Sequence, residues 1–336
     1  MRPGVLTLAI LMVLSGGASV QAQTDFYRSK TVRIVVGSDA GGGFSTYSLL
    51  LSAHLGKHIP GNPAVTIEHR PGAGGVNAID YLASAAPKDG TVIAVAMPNF
   101  FVTPFVEPRA AKFNPAEFRF LGRMSDFGRV LVSWHTSGAK SIVDLKARET
   151  ILGASSRRST TSIQPILINE SLGTKMKVIT GFTGAGPTAV ALERGEVQVA
   201  TLAYSTLQSL HPHWLRDNKV NMIAGLDFTQ IPGVTRVRDL IDDPQKKAMW
   251  DFVALPAEFG TAFVAAPGVP EERLRILRQA FDATMKSDEM IADAKKRVLD
   301  INPKSGEPLD ALFAQAGSPS PETIKHVARI MGIGSN

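Results

Sequence analysis

The sequence predicts an α/β protein of two lobes with a ligand cleft between them. Strand-like apolar runs alternate with helix-like runs along most of the chain. The 336 residues are more than one hydrophobic core usually covers. Glycine-rich or hydroxyl-rich loops follow several of the strands and fall into two matched groups. We expect residues 23–123 with 263–336 to form the first lobe and residues 124–262 to form the second.

The first 22 residues predict a secretory signal peptide. Arg2 supplies a positive start, and Val5–Leu14 is an apolar run too short to span a bilayer. Val20–Ala22 fits a cleavage site before Gln23. The alternative, a buried N-terminal helix, has neither a helix cap nor an amphipathic pattern to support it. We expect an exported protein that resides in the periplasm.

The first lobe begins with three strands, each followed by a turn. Thr31–Gly37 (TVRIVVG) precedes a glycine triplet and an amphipathic helix. Ala64–Glu68 precedes "HRPGAGG" and a helix that Pro87 ends, and Thr91–Met97 is the third strand. This alternation predicts a parallel sheet covered by helices.

The second lobe repeats the same unit, and the chain then returns to the first lobe. Its predicted strands are "RVLVSW" at 129–134, Thr150–Gly153, Lys177–Thr180 and Gln198–Leu202. Thr261–Ala265 is the predicted returning strand, and the chain from Glu271 onward is expected to be mostly helical.

The amino-acid composition excludes several classes of function. The chain has no cysteine, which excludes a thiol nucleophile and leaves core burial to hold an exported fold. Hydrophobic residues make up 44% and charged residues 20%, as in ordinary globular proteins. The net charge of +6 suits a small acidic ligand, but it is too weak and scattered for a nucleic-acid partner.

Four loops have the character of anion-binding turns. They are Ser38–Thr46, Arg70–Gly75, Ala154–Thr161 and Gly181–Thr188. In open α/β sheets, ligands bind beyond the carboxyl ends of strands, where helix N-termini favour anions. Glycine lets the backbone N–H groups approach a ligand closely. Any one such turn is also consistent with simple chain reversal, but two in each lobe predict a cleft.

Nucleotide-binding motifs are incomplete. Gly37–Gly42 has the spacing of a P-loop, but Gly43 stands where that motif requires lysine. Gly41 and Gly43 begin a dinucleotide fingerprint, but Thr46 stands at the position of its third glycine.

Catalytic and metal motifs are also incomplete. The sequence has no G-x-S-x-G elbow. His54 and His58 are spaced for a metal but lack an accompanying glutamate, so a solvated helix face is the favoured interpretation. His211 and His213 have no nearby carboxylate. We expect neither an enzyme nor a bound metal or cofactor.

Three segments carry a family resemblance. They are "FYRSKTVRIVVGSDAGGG", "EHRPGAGGVNAIDYLASAAPKDGTVIAV" and "FVAAPGVPEERLRILRQAFDATMKS". Together they resemble the substrate-binding proteins of tripartite tricarboxylate transporters, the Bug family, from about Phe26 to the carboxyl end. The resemblance implies a type II periplasmic-binding-protein fold, the Venus flytrap. It also implies a small carboxylate ligand and delivery to a permease of two integral membrane subunits, without a cofactor. We expect a monomer.

The resemblance and the loop argument together give a set of candidate ligand-binding residues. In the first lobe these are Ser38, Gly41, Gly42, Gly43, Phe44, Ser45 and Gly74. In the second lobe they are Ser155, Ser156, Arg157, Ser159, Thr160, Phe182, Thr183, Gly184, Ala185 and Tyr204.

The sequence departs from the family pattern at two places. Phe44 and Ser45 stand where most members have a short residue and then aspartate, and Arg157 and Arg158 stand where small residues are usual. Both changes favour a more anionic ligand, such as a dicarboxylate or an acid with a polar far end. We expect Arg157 to enter the cleft and Arg158 to face solvent, the alternative being that both lie on the surface. Phe44 is expected to line the cleft, the alternative being packing under a neighbouring loop.

Two other functions remain open at this point. A signalling adaptor that presents the closed lobes to a sensor kinase would need the same cleft. A secreted hydrolase would use Ser155, Ser156 or Ser159 as its nucleophile, but the sequence offers no obvious base for them.

Overall fold

The computed structural model describes residues 26–182, 184–209, 211–228, 230–316 and 318–334. The predicted signal peptide, 1–22, lies outside this range. The strands are β1 (Thr31–Val36), β2 (Ala64–His69), β3 (Val92–Ala96), β4 (Arg119–Arg123), β5 (Arg129–Trp134), β6 (Thr150–Ala154), β7 (Met176–Thr180), β8 (Val199–Ala203), β9 (Val220–Gly225), β10 (Ala262–Ala265) and β11 (Lys304–Ser305).

The α-helices cover the faces of the sheets. They are α1 (Gly43–Leu55), α2 (Val76–Ser84), α3 (Pro98–Val106), α4 (Ile142–Ala147), α5 (Thr160–Leu172), α6 (Ala185–Glu193), α7 (Tyr204–Ser209), α8 (Pro212–Arg216), α9 (Pro244–Phe259), α10 (Glu271–Met285), α11 (Asp288–Lys296), α12 (Gly306–Ala316) and α13 (Pro321–Ile330). Within the described residues, no helix is both long enough and apolar enough to cross a bilayer.

Two sheets form two lobes, which confirms the predicted fold class. The first lobe contains the order β11-β4-β10-β3-β1-β2, and the second contains β7-β6-β8-β5-β9. The strands predicted from the sequence match β1, β2, β3, β5, β6, β7, β8 and β10 to within one residue at either end. The predicted helical character of the chain after Glu271 is also confirmed. The residue boundaries proposed for the lobes remain a prediction.

The expectation of a parallel sheet is wrong for the strands that enter a lobe from its neighbour. β1 pairs in parallel with β2 and β3, but β10 is antiparallel to β3, with Ala262 opposite Ala96. β5 is likewise antiparallel to β8, with Arg129 opposite Ala203. A strand that arrives from the other lobe starts at the edge where its parallel neighbours end, so it must run in the opposite direction.

The chain crosses between the lobes twice, and the two crossings are joined to each other. Met124 N donates to Thr261 O at 3.1 Å, and Thr261 N donates to Ser125 O at 2.9 Å. Gly260, the residue before Thr261, has φ 47°, and a Cβ at this position would come 2.0 Å from Ser125 O. Only glycine therefore fits this close approach of the two segments.

A shared hydrophobic core joins the lobes behind these crossings. One cluster of buried residues includes Phe101 of the first lobe, Leu152 and Ile163 of the second, and Trp250 of α9. Helices α9 and α13 each pack against α3 of the first lobe and α5 of the second. Val327 of α13 is completely buried in this cluster.

Candidate functional site

The loop after β1 is exposed and leads directly into α1. Residues 39–43 are exposed, and a Cβ built on Gly41 or Gly43 would meet no atom within 4 Å. Helix α1 has Gly42 at its N-cap, and no side chain of the described residues caps its first N–H groups. Free N–H donors at the positive end of a helix dipole suit an anionic ligand.

His69, the last residue of β2, fixes this loop. Its Nδ1 lies 2.8 Å from the carbonyl oxygen of Ser38, and its Nε2 lies 3.5 Å from Oγ of Ser45. The contact with a carbonyl oxygen requires an N–H at Nδ1, so in the neutral ring Nε2 accepts from the Ser45 hydroxyl. Ser45 is 0% exposed. Its hydroxyl therefore helps to position the loop, and a ligand contact by Ser45 remains a prediction.

The loop after β2 lies against the first loop. A Cβ on Gly37 would come 2.4 Å from Cα of Gly75, so the two backbones are in contact. Ala73, Gly74 and Gly75 have φ angles of 48°, 62° and 98°. Glycine adopts such angles freely, but Ala73 is strained, and strained residues are concentrated at binding loops. Gly74 is exposed, and a Cβ there would lie 2.1 Å from Nδ2 of Asn99, so glycine is needed for packing as well as for φ.

Phe44 lies between the first loop and the first crossing. Its ring makes an edge-to-face contact with Phe127, with ring centroids 5.4 Å apart and planes at 86°. It is partly buried against the core cluster of the first lobe. These contacts match the alternative in which Phe44 packs under a neighbouring loop. Because the side chain is partly exposed, its role in lining the cleft remains a prediction.

Hydroxyl groups organise the second-lobe loop between β6 and α5. Thr161 Oγ1 accepts from Ser155 N at 3.0 Å and lies 2.6 Å from Ser159 Oγ. Ser159 Oγ donates to Ser156 O at 2.7 Å. Ser156 is exposed, and Ser155, Ser159 and Thr160 are partly buried. The loop is thereby held as a compact turn at the start of α5.

The loop after β7 adjoins that turn. Phe182 N donates to Ala154 O at 3.1 Å, which ties the two loops together. Gly184 has φ 95° and is the N-cap of α6, which begins at Ala185. Thr183 and the side chain of Ala185 lie outside the described part of the chain. The backbone of this segment is therefore brought beside the Ser155 turn, as the sequence predicted from its two successive strands.

Tyr204 and Arg129 complete the carboxyl edge of the second sheet. Tyr204 N donates to Gly128 O at 2.8 Å, which places the start of α7 at the first crossing. Arg129 NH1 donates to Thr160 Oγ1. Arg129 Nε and NH2 each lie 3.2 Å from a carboxylate oxygen of Asp227. Sequence analysis missed Arg129 because it considered only residues that follow strands, whereas this residue begins an antiparallel one.

Arg157 and Arg158 are both exposed, as the sequence predicted for Arg158. Arg157 Nε donates to Ile330 O of α13 at 3.4 Å, and the residue borders a cavity of about 450 Å³ beside that helix. Arg158 NH1 lies 3.2 Å from Oε2 of Glu107 in the first lobe. The Arg158 side chain is 56% exposed, so it faces solvent while it pairs with Glu107. A ligand contact by Arg157 remains a prediction that would require its side chain to leave Ile330.

The histidine pairs singled out in the sequence have structural partners. His54 Nε2 lies 3.1 Å from Asp293 Oδ2 and is only 8% exposed, so the expected solvated face is wrong for His54. His211 stacks on Trp214 with ring centroids 4.1 Å apart, and burial lowers the pKa of His211. Within the described ranges, no group of three histidine, cysteine, aspartate or glutamate side chains is arranged to hold a metal ion.

Comparison with known proteins assigns the family. The sequence model of the tripartite tricarboxylate transporter family receptor, TctC, matches residues 53–307. The chain belongs to this receptor family. A protein from Cupriavidus necator encoded in the gbd 5' region is 38% identical over 80 residues, which is 24% of each chain. The match thus spans about a quarter of that relative's length.

Several solved structures share the fold. A TctC solute-binding protein from Polaromonas has a TM-score of 0.69 at 16% identity, over 91% of this chain and 99% of the other. An R. palustris protein with adipate has a TM-score of 0.61 at 19% identity, over 91% and 98%. MatC from Rhodopseudomonas palustris with bound malate has a TM-score of 0.58 at 19% identity, over 90% and 98%.

In this TctC-family receptor, polar groups of a different kind lie at the carboxyl edge of the sheet in each lobe. The first lobe offers backbone N–H groups at the start of α1, and the second offers hydroxyls and the Arg129 guanidinium. Among the described residues, the Ser45 hydroxyl faces a histidine, His69, but Ser45 is completely buried. The arrangement is chemically suited to holding an anion.

Proposed function

We propose that this receptor is a periplasmic solute-binding protein that captures a small carboxylate, such as a dicarboxylate or an aromatic acid. It would present the ligand to the permease subunits of a tripartite tricarboxylate transporter. The observation that carries the proposal is the exposed, uncapped start of α1 after the glycine triplet. That two proteins of the same fold were solved with adipate and malate supports a carboxylate.

The proposed function is binding without turnover, by a monomer that needs no cofactor. A carboxylate at the start of α1 would accept hydrogen bonds from the N–H groups of Gly43 and Phe44. The helix dipole favours negative charge at this position. The second lobe would then close on the ligand about the paired crossings at Met124 and Thr261. Export to the periplasm, directed by residues 1–22, is part of the proposal.

A ligand screen tests this function. Thermal unfolding with mono-, di- and tricarboxylates and aromatic acids, followed by calorimetry, should identify at least one acid that binds. At a hundred times its dissociation constant, such an acid stabilises the fold by about 2.7 kcal/mol. The matched amide of the same acid is the control and should not bind. If no acid shifts the transition, or if acid and amide bind equally well, the proposal is wrong.

A further inference from the structure

We infer that Arg129 is the anion anchor of the second lobe and selects ligands with a second carboxylate. The inference rests on the proposed function, because it assigns one end of the captured acid to the first lobe. That end would lie at the N–H groups of α1, and the far carboxylate would meet Arg129. The receptor would therefore prefer a dicarboxylate to the monocarboxylate of equal length.

The topology of the second sheet places the guanidinium at the carboxyl edge of that sheet. β5 starts at Arg129, opposite the last residue of β8, Ala203. Thr160 follows β6, and β8 lies between β6 and β5 in the sheet. The hydrogen bond from Arg129 to Thr160 therefore carries the side chain across the carboxyl end of β8. That is the edge at which the predicted ligand loops of this lobe begin.

A buried carboxylate holds the guanidinium in place. Asp227 is 3% exposed, and its Oδ2 accepts from Arg129 N at 2.8 Å as well as from Nε. Gln164 Nε2 donates to the same carboxylate at 3.2 Å. Because this network fixes its rotamer, Arg129 loses little conformational entropy when it binds a ligand.

Donor groups remain available for a ligand. An arginine side chain has five N–H donors. In the described part of the chain, Arg129 directs one of them to Thr160 and two to Asp227, so one N–H on NH1 and one on NH2 are left. The side chain is 14% exposed, which leaves these donors partly accessible. Two parallel N–H donors of a guanidinium match the geometry of a carboxylate.

The other arginines of this region are engaged elsewhere. Arg157 donates to the end of α13, and Arg158 pairs with Glu107. Arg123 lies at the crossing, where it pairs with Asp126 and Glu258. Of these four arginines, Arg129 is the one whose bonds all lie at the carboxyl edge of the second sheet.

Calorimetry with matched acids tests the inference. Adipate is compared with hexanoate, and succinate with butyrate, on the full chain and on Arg129→Gln and Arg129→Lys. We expect Arg129→Gln to weaken the dicarboxylate at least tenfold and the monocarboxylate less than twofold. Arg157→Gln tests the competing prediction that Arg157 holds the far carboxylate. Arg148→Gln is the control and should keep the wild-type preference, because Arg148 is an exposed arginine of the second lobe that donates to Ser137 O. Circular dichroism and thermal unfolding confirm that each variant is folded.

The possible results separate the two proposals. If Arg129→Gln does not fold, Arg129→Lys and Thr160→Val carry the test, since both keep a cation beside the buried Asp227 and should still lower the preference for the dicarboxylate. If the wild type binds dicarboxylates and the folded Arg129 variants keep the same preference for them, this inference is wrong and the proposed function stands. The inference is also overturned if the dicarboxylate preference is lost in Arg157→Gln and kept in the Arg129 variants. Failure of the wild type to bind any acid overturns the proposed function and this inference together.

Discussion

His69 Nδ1 lies 2.8 Å from the carbonyl oxygen of Ser38, so the last residue of β2 holds the loop that follows β1. The two strands are neighbours in the sheet and run in parallel, which brings their carboxyl ends together. A loop of small residues has no side chains of its own with which to fix its shape. The imidazole supplies that constraint from the adjacent strand.

Replacement of His69 by alanine should weaken ligand binding about five- to tenfold. The loop would lose a hydrogen bond that contributes about 1 kcal/mol, and its ordering would then be an added cost of binding. Calorimetry with the best ligand of the screen measures the change. His54→Ala is the matched control, because His54 pairs with Asp293 on the helical side of the lobe and should leave affinity unchanged. An equal effect of both variants would contradict the role given to His69.

Phe44 and Phe127 should be energetically coupled. Edge-to-face aromatic pairs contribute about 1 kcal/mol beyond the area they bury. A double-mutant cycle with Phe44→Ala and Phe127→Ala, measured by chemical denaturation, should show a coupling of that size. Phe44→Ala combined with Phe113→Ala should be additive, since Phe113 packs in a different cluster. Coupling near zero in the first cycle would mean that the ring contact is incidental.

The sequence predicted the strands well, but it could not supply side-chain partners that come from distant parts of the chain. An apolar run such as Val32–Val36 is almost sufficient by itself to predict a buried strand. The glycine-rich turn that follows such a run marks the position of the next loop. Arg157 and Arg129 show the limit. The expectation that Arg157 enters the cleft used local chain direction, but α13, from a distant part of the sequence, supplies a carbonyl acceptor for it. Arg129 was overlooked because strand direction depends on which lobe the chain arrives from.

Gly260→Ala should be far more destabilising than another glycine substitution at positive φ. A Cβ at Gly260 would lie 2.0 Å from Ser125 O, and backbone strain adds to this clash. We expect a loss of about 3 kcal/mol or more in the free energy of unfolding. Gly233→Ala is the control, because Gly233 has φ 73° but no atom within 4 Å of its built Cβ. That variant should lose only about 1–2 kcal/mol. Similar losses would show that the crossings can separate without cost.

Glu258 should make stability depend on pH in a direction opposite to most carboxylates. Burial raises the pKa of the Glu258 carboxyl above its usual 4.5, although Arg123 and Lys304 act to lower it. The native state then binds this proton more tightly than the unfolded state does. The stability it contributes is full below pH 4.5 and is lost as pH rises through the folded-state pKa.

A comparison of two chains isolates this effect. The free energy of unfolding is measured by denaturant titration from pH 4.5 to neutral for the wild type and for Glu258→Gln, whose amide does not titrate. The wild type should lose stability relative to the variant as pH rises. A difference that stays constant, or that changes in favour of the wild type, would show that Glu258 is not protonated more readily in the folded protein.

The core shared by the lobes makes the molecule one cooperative unit. Unfolding the second lobe alone would strip α5 from α9 and α13 and expose the apolar faces around Trp250 and Val327 to water. A half-unfolded molecule is therefore disfavoured, even though the chain has two sheets. Heating should give a single transition in which the calorimetric and van't Hoff enthalpies agree, as for a small single-domain protein.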